Sequence, residues 1–217
     1  MTRGQFIRRI GKPVLWMACL TPVIIMVYDG FTGGLSANPI EDITHRTGTT
    51  ALVLLLVTLG VSPIKRWTAI GALIALRRPL GLFAFFYGTL HFLTYLVLDQ
   101  FFAWGFIVED IMDRPYITVG FTALVLLIPL AVTSTKGWIK RLGAKRWNTL
   151  HRLVYLSAAG GVLHFLWLVK ADTRKPIVFG VILVGLLATR LQRRSGRKRS
   201  VPAQSRPATL EAAAGSE

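Results

Sequence analysis

Six long apolar runs, separated by short stretches that carry nearly all the charge, dominate this sequence. They cover about Pro13 to Tyr28, Thr47 to Val61, Pro79 to Leu98, Tyr116 to Val132, Thr149 to Val169 and Pro176 to Leu191. Each has roughly 15 to 21 residues, near the ~20 that carry a helix across ~30 Å of hydrocarbon. Lipid offers no partner to an open backbone, so a spanning segment is a helix or part of a closed barrel. A barrel needs alternating apolar and polar residues, which these runs lack. The expected fold is all-α, a polytopic membrane protein built as a bundle of six transmembrane helices.

Two segments need separate readings. The first run follows Arg8, Arg9 and Lys12 and so resembles a secretory signal. No small-x-small cleavage site closes it and five runs follow, so it is expected to be retained. Ala69 to Leu76 is too short to span and reads as an interfacial piece. The membrane domain is expected over 1–192. Residues 193–217, rich in Arg, Ser, Pro and Ala, read as a disordered basic tail.

The net charge of +16 would suit a nucleic-acid binder, but its distribution argues against one. Threading six spans from a cytoplasmic N-terminus puts 21 of the 26 basic residues on one side with two acids. The other side takes five bases and eight acids: Asp29, Glu41, Asp42, Asp99, Glu109, Asp110, Asp113 and Asp172. The split is +19 against −3, a positive-inside pattern that predicts both termini in the cytoplasm of a cell whose inner membrane holds the protein. The basic excess is then topology and contact with anionic lipid, and no nucleic-acid partner is expected. The one cysteine, Cys19, lies within an apolar run and reads as a small buried hydrophobe. It leaves no Cys-x-x-Cys pair for a thiolate metal cluster.

The histidines carry the chemistry. A polar group deep in a span is a functional suspect. His91 lies ~18 Å along its helix from Pro79, and His164 lies ~24 Å along its own from Asn148, at 1.5 Å per residue. Both fall in the half of the membrane toward the acidic side. Two imidazoles from different helices at similar depth form the arrangement that bis-histidine haem ligation requires. Gly88 and Gly160 each precede one of these histidines by a turn and can clear room for a porphyrin, with Phe92, Tyr95, Phe165 and Trp167 as nearby aromatic surface. His151 sits near the basic side, and on a straight helix it would point about 140° away from His164. A second haem, a propionate or flavin phosphate, or an interfacial hydrogen bond are its open roles. His45, beside Arg46, is either a surface residue or a contact for propionates or a docking partner.

Three stretches carry a resemblance. They are Leu150-His151-Arg152-Leu153-Val154-Tyr155 with His164-Phe165; Arg78-Pro79-Leu80-Gly81-Leu82 leading to Tyr87, His91 and Tyr95; and Arg114-Pro115-Tyr116-Ile117-Thr118-Val119-Gly120. In this order, over about residues 5 to 192, the chain resembles the haem-binding membrane subunit of the bacterial periplasmic protein-methionine-sulfoxide reductase system. That family lies in the ferric-reductase-like transmembrane superfamily, with the NADPH oxidases. The resemblance implies transmembrane electron transfer through b-type haem, one or two per chain, with FMN associated. Electrons would come from the quinone pool or a cytosolic flavin reductase. They would pass to a periplasmic molybdopterin-containing subunit that reduces methionine sulfoxide. Such a chain is an electron-transfer subunit without the substrate-reducing site. The resemblance implies His91 and His164 as iron ligands, with His151 a further candidate.

One departure stands out. The oxidases have a histidine 13 residues before the one matching His91, whereas this chain has Arg78, and arginine is a poor iron ligand because it stays protonated. Arg77 and Arg78 are instead expected to hold an anionic group, a haem propionate or flavin phosphate, or to serve only as positive-inside flanks. No G-x-G-x-x-G occurs, so the chain is not expected to take hydride from a nicotinamide by itself. The rival readings are another membrane cytochrome b, quinol- or ferric-reductase-type, and a non-redox transporter or structural subunit. The near-absence of acids within the spans weighs against a transporter.

Overall fold

The computed structural model describes residues 2–169 and 171–199, without side-chain detail for Arg3, Arg8 and residues 191–199. Among these residues the secondary structure is entirely helical. The helices are α1 (Arg3–Phe6), α2 (Lys12–Thr32), α3 (Pro39–Thr68), α4 (Arg77–Leu93), α5 (Trp104–Asp113), α6 (Pro115–Val132), α7 (Lys136–Leu150), α8 (Leu153–Leu168) and α9 (Arg174–Arg199). Among the described residues four stretches are long and apolar enough to cross a membrane: Gly4–Thr32, Pro39–Thr68, Gly71–Asp99 and Pro115–Val132. Leu153–Leu168 is a shorter apolar helix. The sixth expected span falls within α9; residues 193–199 of the expected tail continue that helix, and residues 200–217 lie outside the described residues.

Several elements run further than hydropathy alone predicts. α3 starts well before Thr47 because Asn38 caps it, accepting from the Glu41 N–H, with Glu41 and Asp42 in a first turn that favours negative charge. It ends at Ala69, which adopts a left-handed conformation (φ 55°) and turns the chain into a 3-10 helix over Gly71–Leu76. α4 passes directly into a π-helical segment, Thr94–Asp99, one residue after Leu93. The loop expected between the third and fourth spans contains α5, and the one between the fourth and fifth contains α7. The fifth span is broken: α7 ends at Leu150, His151 and Arg152 form a turn, and α8 begins at Leu153. The 140° phase calculated for a continuous helix therefore does not apply to His151 and His164.

α3 is the central element and packs most broadly on α4, while α6 packs on α8. Its Leu52, Leu55, Leu56 and Leu59 meet Ala84 of α4, Leu127 and Leu130 of α6, Val154 and Ala158 of α8 and Leu183 of α9. Small groups let α6 and α8 approach closely. The buried Ser157 hydroxyl donates to the Ala123 carbonyl at 2.8 Å, and a Cβ on Gly160 would lie 3.1 Å from the Ala123 Cβ. Gly160 thus serves helix packing, as small residues do in membrane bundles. Large apolar side chains cover the outer surface, with Phe31, Met17, Val181 and Val184 all more than 60% exposed. A water-soluble monomer would not leave so much apolar surface uncovered.

α2 is held by a wedge. Pro22 removes one backbone donor inside the helix. One residue on, the Val23 N–H donates to the Tyr87 hydroxyl at 3.1 Å, and that hydroxyl donates to the Cys19 carbonyl at 2.7 Å. In a regular helix Val23 would bond Cys19 directly. Tyr87, 1% exposed, is thus inserted into the ladder of α2 from α4. Cys19 is buried beside it, as expected. Replacing Tyr87 with Phe removes the bridge and should destabilise the protein by about 1–3 kcal/mol. The thermal midpoint in detergent should fall, and an unchanged midpoint would show that the Tyr87 hydroxyl does not hold α2.

Candidate functional site

A cavity of about 990 Å³ lies between α2, α3, α4, α6 and α8. That is the upper end of the usual range for small-molecule sites, about 300–1,000 Å³. His91 and His164 both line it, as do Gly88, Phe92, Tyr95 and Phe165. Trp167 instead faces outward, 50% exposed. The deep walls are apolar or small: Leu52, Leu55, Ala84, Leu124, Leu127 and Gly161. Charge is confined to one end, where Asp42, His45, Arg46, Asp99, Arg114 and Lys175 meet. These come from four separate segments that the charge split had assigned to one side.

The two histidines are held by the same device. His91 Nδ1 lies 2.9 Å from the Thr44 carbonyl of α3. His164 Nδ1 lies 2.7 Å from the Tyr116 carbonyl of α6. A carbonyl can only accept, so each Nδ1 carries the proton, and each Nε2 of a neutral imidazole is left with a bare lone pair. Both carbonyls already accept the helical bond from the residue four further on, and a second lone pair serves the histidine. That fourth residue is glycine in each case. A Cβ on Gly48 would lie 3.0 Å from the His91 ring, and one on Gly120 would lie 2.6 Å from His164 Nδ1. Only glycine lets the ring reach the carbonyl of the neighbouring helix. This role of Gly48 and Gly120 was not foreseen from the sequence.

The two ring centroids are 6.1 Å apart, with the planes inclined at 76°. A metal–imidazole bond of about 2 Å on each side, with about 1 Å more from nitrogen to ring centre, places two axial imidazoles about 6 Å apart. The pair therefore has the spacing for one metal ion between the rings. Among the described residues no three His, Cys, Asp or Glu side chains cluster as a metal site. Two protein donors suit an iron that brings four equatorial nitrogens of its own, and a broad apolar cavity suits the macrocycle that carries them. The residues present fit haem.

The remaining expected site residues lie elsewhere. His151 Nε2 is 3.1 Å from the Thr133 hydroxyl, and its ring stacks on Trp147 with centroids 3.8 Å apart. It does not line the cavity. Arg77 and Arg78 open α4 at the opposite end from His91; Arg78 is exposed and Arg77 half-buried. Arg77 lies within electrostatic reach of His151, Arg190 and Tyr155. Arg190 donates to the Tyr155 hydroxyl and, at 2.7 Å, to the Leu59 carbonyl. His151 and the arginines thus form a basic group apart from the His91–His164 pair. Tyr95 hydrogen-bonds Asp110 at 3.1 Å, and Asp110 in turn pairs with Arg114 at 3.1 Å.

The family model for the ferric reductase like transmembrane component matches residues 47–162. This stretch includes Gly48, His91, Gly120 and His151 and stops just before His164. Among curated relatives, the protein-methionine-sulfoxide reductase heme-binding subunit MsrQ of Rhodospirillum rubrum is 48% identical over 205 residues, covering 91% of this chain and 99% of its own. The same subunit of Herminiimonas arsenicoxydans is 50% identical over 182 residues, 83% of this chain and 84% of its own. That of Caulobacter vibrioides is 46% identical over 178 residues, 82% and 85%. No solved structure matches. Identity at this level across nearly the whole length places the chain in the MsrQ family of haem-binding membrane subunits, within the ferric-reductase-like transmembrane proteins.

Proposed function

We propose that this chain carries electrons across the bacterial inner membrane through a b-type haem held by His91 and His164. The observation that carries this reading is the paired geometry: two imidazoles 6.1 Å apart, each with Nδ1 fixed to a carbonyl and Nε2 left bare. Haem, when bound, supplies a one-electron carrier whose potential follows its axial ligands and burial. The chain's own contribution is mechanical and electrostatic. Thr44 and Tyr116 fix the ring tautomers, Gly48 and Gly120 set the approach, and the apolar walls exclude water.

The path runs from the basic to the acidic end. The charge split supports six spans with both termini in the cytoplasm. In that orientation His151, Arg77 and Arg78 lie on the cytoplasmic side, suited to an anionic donor group such as a flavin phosphate. Electrons enter there, from quinone or from a cytosolic flavin reductase, with FMN as an intermediate carrier. They leave at the periplasmic mouth of the cavity to a molybdopterin-containing methionine sulfoxide reductase subunit, supporting repair of oxidised envelope proteins. The relatives named as heme-binding subunits of protein-methionine-sulfoxide reductase support this assignment. The substrate-reducing site belongs to the partner.

Replacing His91 or His164 with Ala should abolish low-spin haem absorption, and retained low-spin spectra in both variants would refute the ligand assignment. Gly120→Ala should act almost as severely, since its Cβ meets His164 Nδ1 at 2.6 Å, and Gly48→Ala less so at 3.0 Å. His151→Ala should leave the low-spin spectrum intact while slowing haem reduction by a cytoplasmic-side flavin reductase. Unchanged reduction kinetics would take His151 out of the entry path.

A further inference from the structure

The charged mouth of the cavity holds three cations, Arg46, Arg114 and Lys175, on a side of the bundle that carries more acids than bases. They come from three separate segments of the chain. A haem b is an apolar disc with two carboxylates on one edge. In a cavity that is apolar at depth and charged at one end, that edge belongs at the charged end, since a buried carboxylate needs a partner.

Hydrogen-bond geometry separates the three candidates. Every nitrogen of Arg46 already meets a carboxylate: Nε donates to Asp42 at 2.8 Å, Nη1 to Asp29 at 2.5 Å, and Nη2 lies 2.8 Å from Asp42. With two carboxylates on one guanidinium, that corner is net negative and repels a third. Its evident task is to tie α2 to α3. Arg114 is different. Its Nε meets Asp110 at 3.1 Å, its Nη1 has only a long 3.5 Å contact with the Tyr116 hydroxyl, and Nη2 makes no hydrogen bond among the described residues. Lys175 is exposed and has no acidic partner among the described residues.

Arg114 also stands two residues before Tyr116, whose carbonyl fixes His164, and six before Gly120, which makes room for that ring. The stretch from Arg114 to Gly120 therefore assembles one side of the site. From this we propose that Arg114 and Lys175 receive the porphyrin carboxylates and so fix which edge of the ring faces the acidic end of the bundle. Arg46 takes no part in this contact. The inference rests on the assignment of haem to His91 and His164.

The test compares protohaem with its dimethyl ester, which keeps the iron and ring but lacks the acids. Full-length protein made in haem-deficient cells is loaded with each in detergent, and uptake and low-spin absorption are followed. Wild type should bind protohaem at least about tenfold more tightly than the ester, as expected for charge-assisted hydrogen bonds. The Arg114→Gln, Lys175→Gln double variant should lose that preference while keeping a low-spin spectrum with either ligand. The Arg114→Lys, Lys175→Arg variant should recover most of it, which separates lost charge from lost folding. An equal affinity of wild type for acid and ester would overturn the proposal, as would a preference that survives in the double variant. A preference lost in Arg46→Gln instead would reassign it. If wild type takes up neither compound in low-spin form, the haem assignment itself fails and this inference with it.

Discussion

A bare imidazole nitrogen inside a membrane bundle has to be prepared. Each ring must place its proton on the far nitrogen, and in an apolar interior that N–H needs an acceptor. The acceptors here are backbone carbonyls of neighbouring helices, at Thr44 for His91 and at Tyr116 for His164. A helix carbonyl is normally shielded by the side chain one turn on. Glycine at 48 and at 120 removes that shield, and both histidines depend on it. The site is thus two copies of one contact, facing each other across 6.1 Å.

The packing around the site follows from this need. α3 supplies the carbonyl for the histidine of α4, and α6 supplies it for the histidine of α8, and these are the two broadest helix pairs in the bundle. Ser157 and Gly160 bring α8 close to α6 near Ala123. Tyr87, one turn before His91, locks α4 into the ladder of α2 beside Pro22. Small groups and hydroxyls bonded to main chain thus set the close approaches around the leucine core that the helices share. Lipid tails remove the hydrophobic drive between helices, so close van der Waals packing and interhelical hydrogen bonds carry the association.

Much of this was legible in the sequence, and the unread part has a physical pattern. Hydropathy located the apolar cores of the helices because membrane thickness fixes their length. It missed α5 and α7, whose residues are mixed in polarity, and the early start of α3, which a cap at Asn38 decides. Depth along the helices was enough to pair His91 with His164. Gly48 and Gly120 stayed hidden because they lie on other helices than the histidines they serve, and nothing in one dimension says which helices touch. Gly160, picked for its spacing from His164, packs instead on α6. The phase argument for His151 assumed a continuous helix that the turn at His151 and Arg152 interrupts. Tyr95 and Tyr155 differ in role: Tyr95 donates to Asp110, while Tyr155 accepts from Arg190.

Function then divides the bundle by charge. The acidic end holds the cavity mouth, and the basic end holds His151, Arg77 and Arg190. Between the two ends stand the two imidazoles that would hold a haem iron, each ring fixed by a carbonyl and the planes inclined at 76°. Electron paramagnetic resonance of the ferric protein reads that arrangement directly. Near-perpendicular axial imidazoles give a highly anisotropic low-spin signal with one dominant low-field feature, and this is the result the structure predicts. A rhombic three-line low-spin spectrum would contradict the orientation of the rings, and a purely high-spin spectrum would contradict bis-histidine ligation itself.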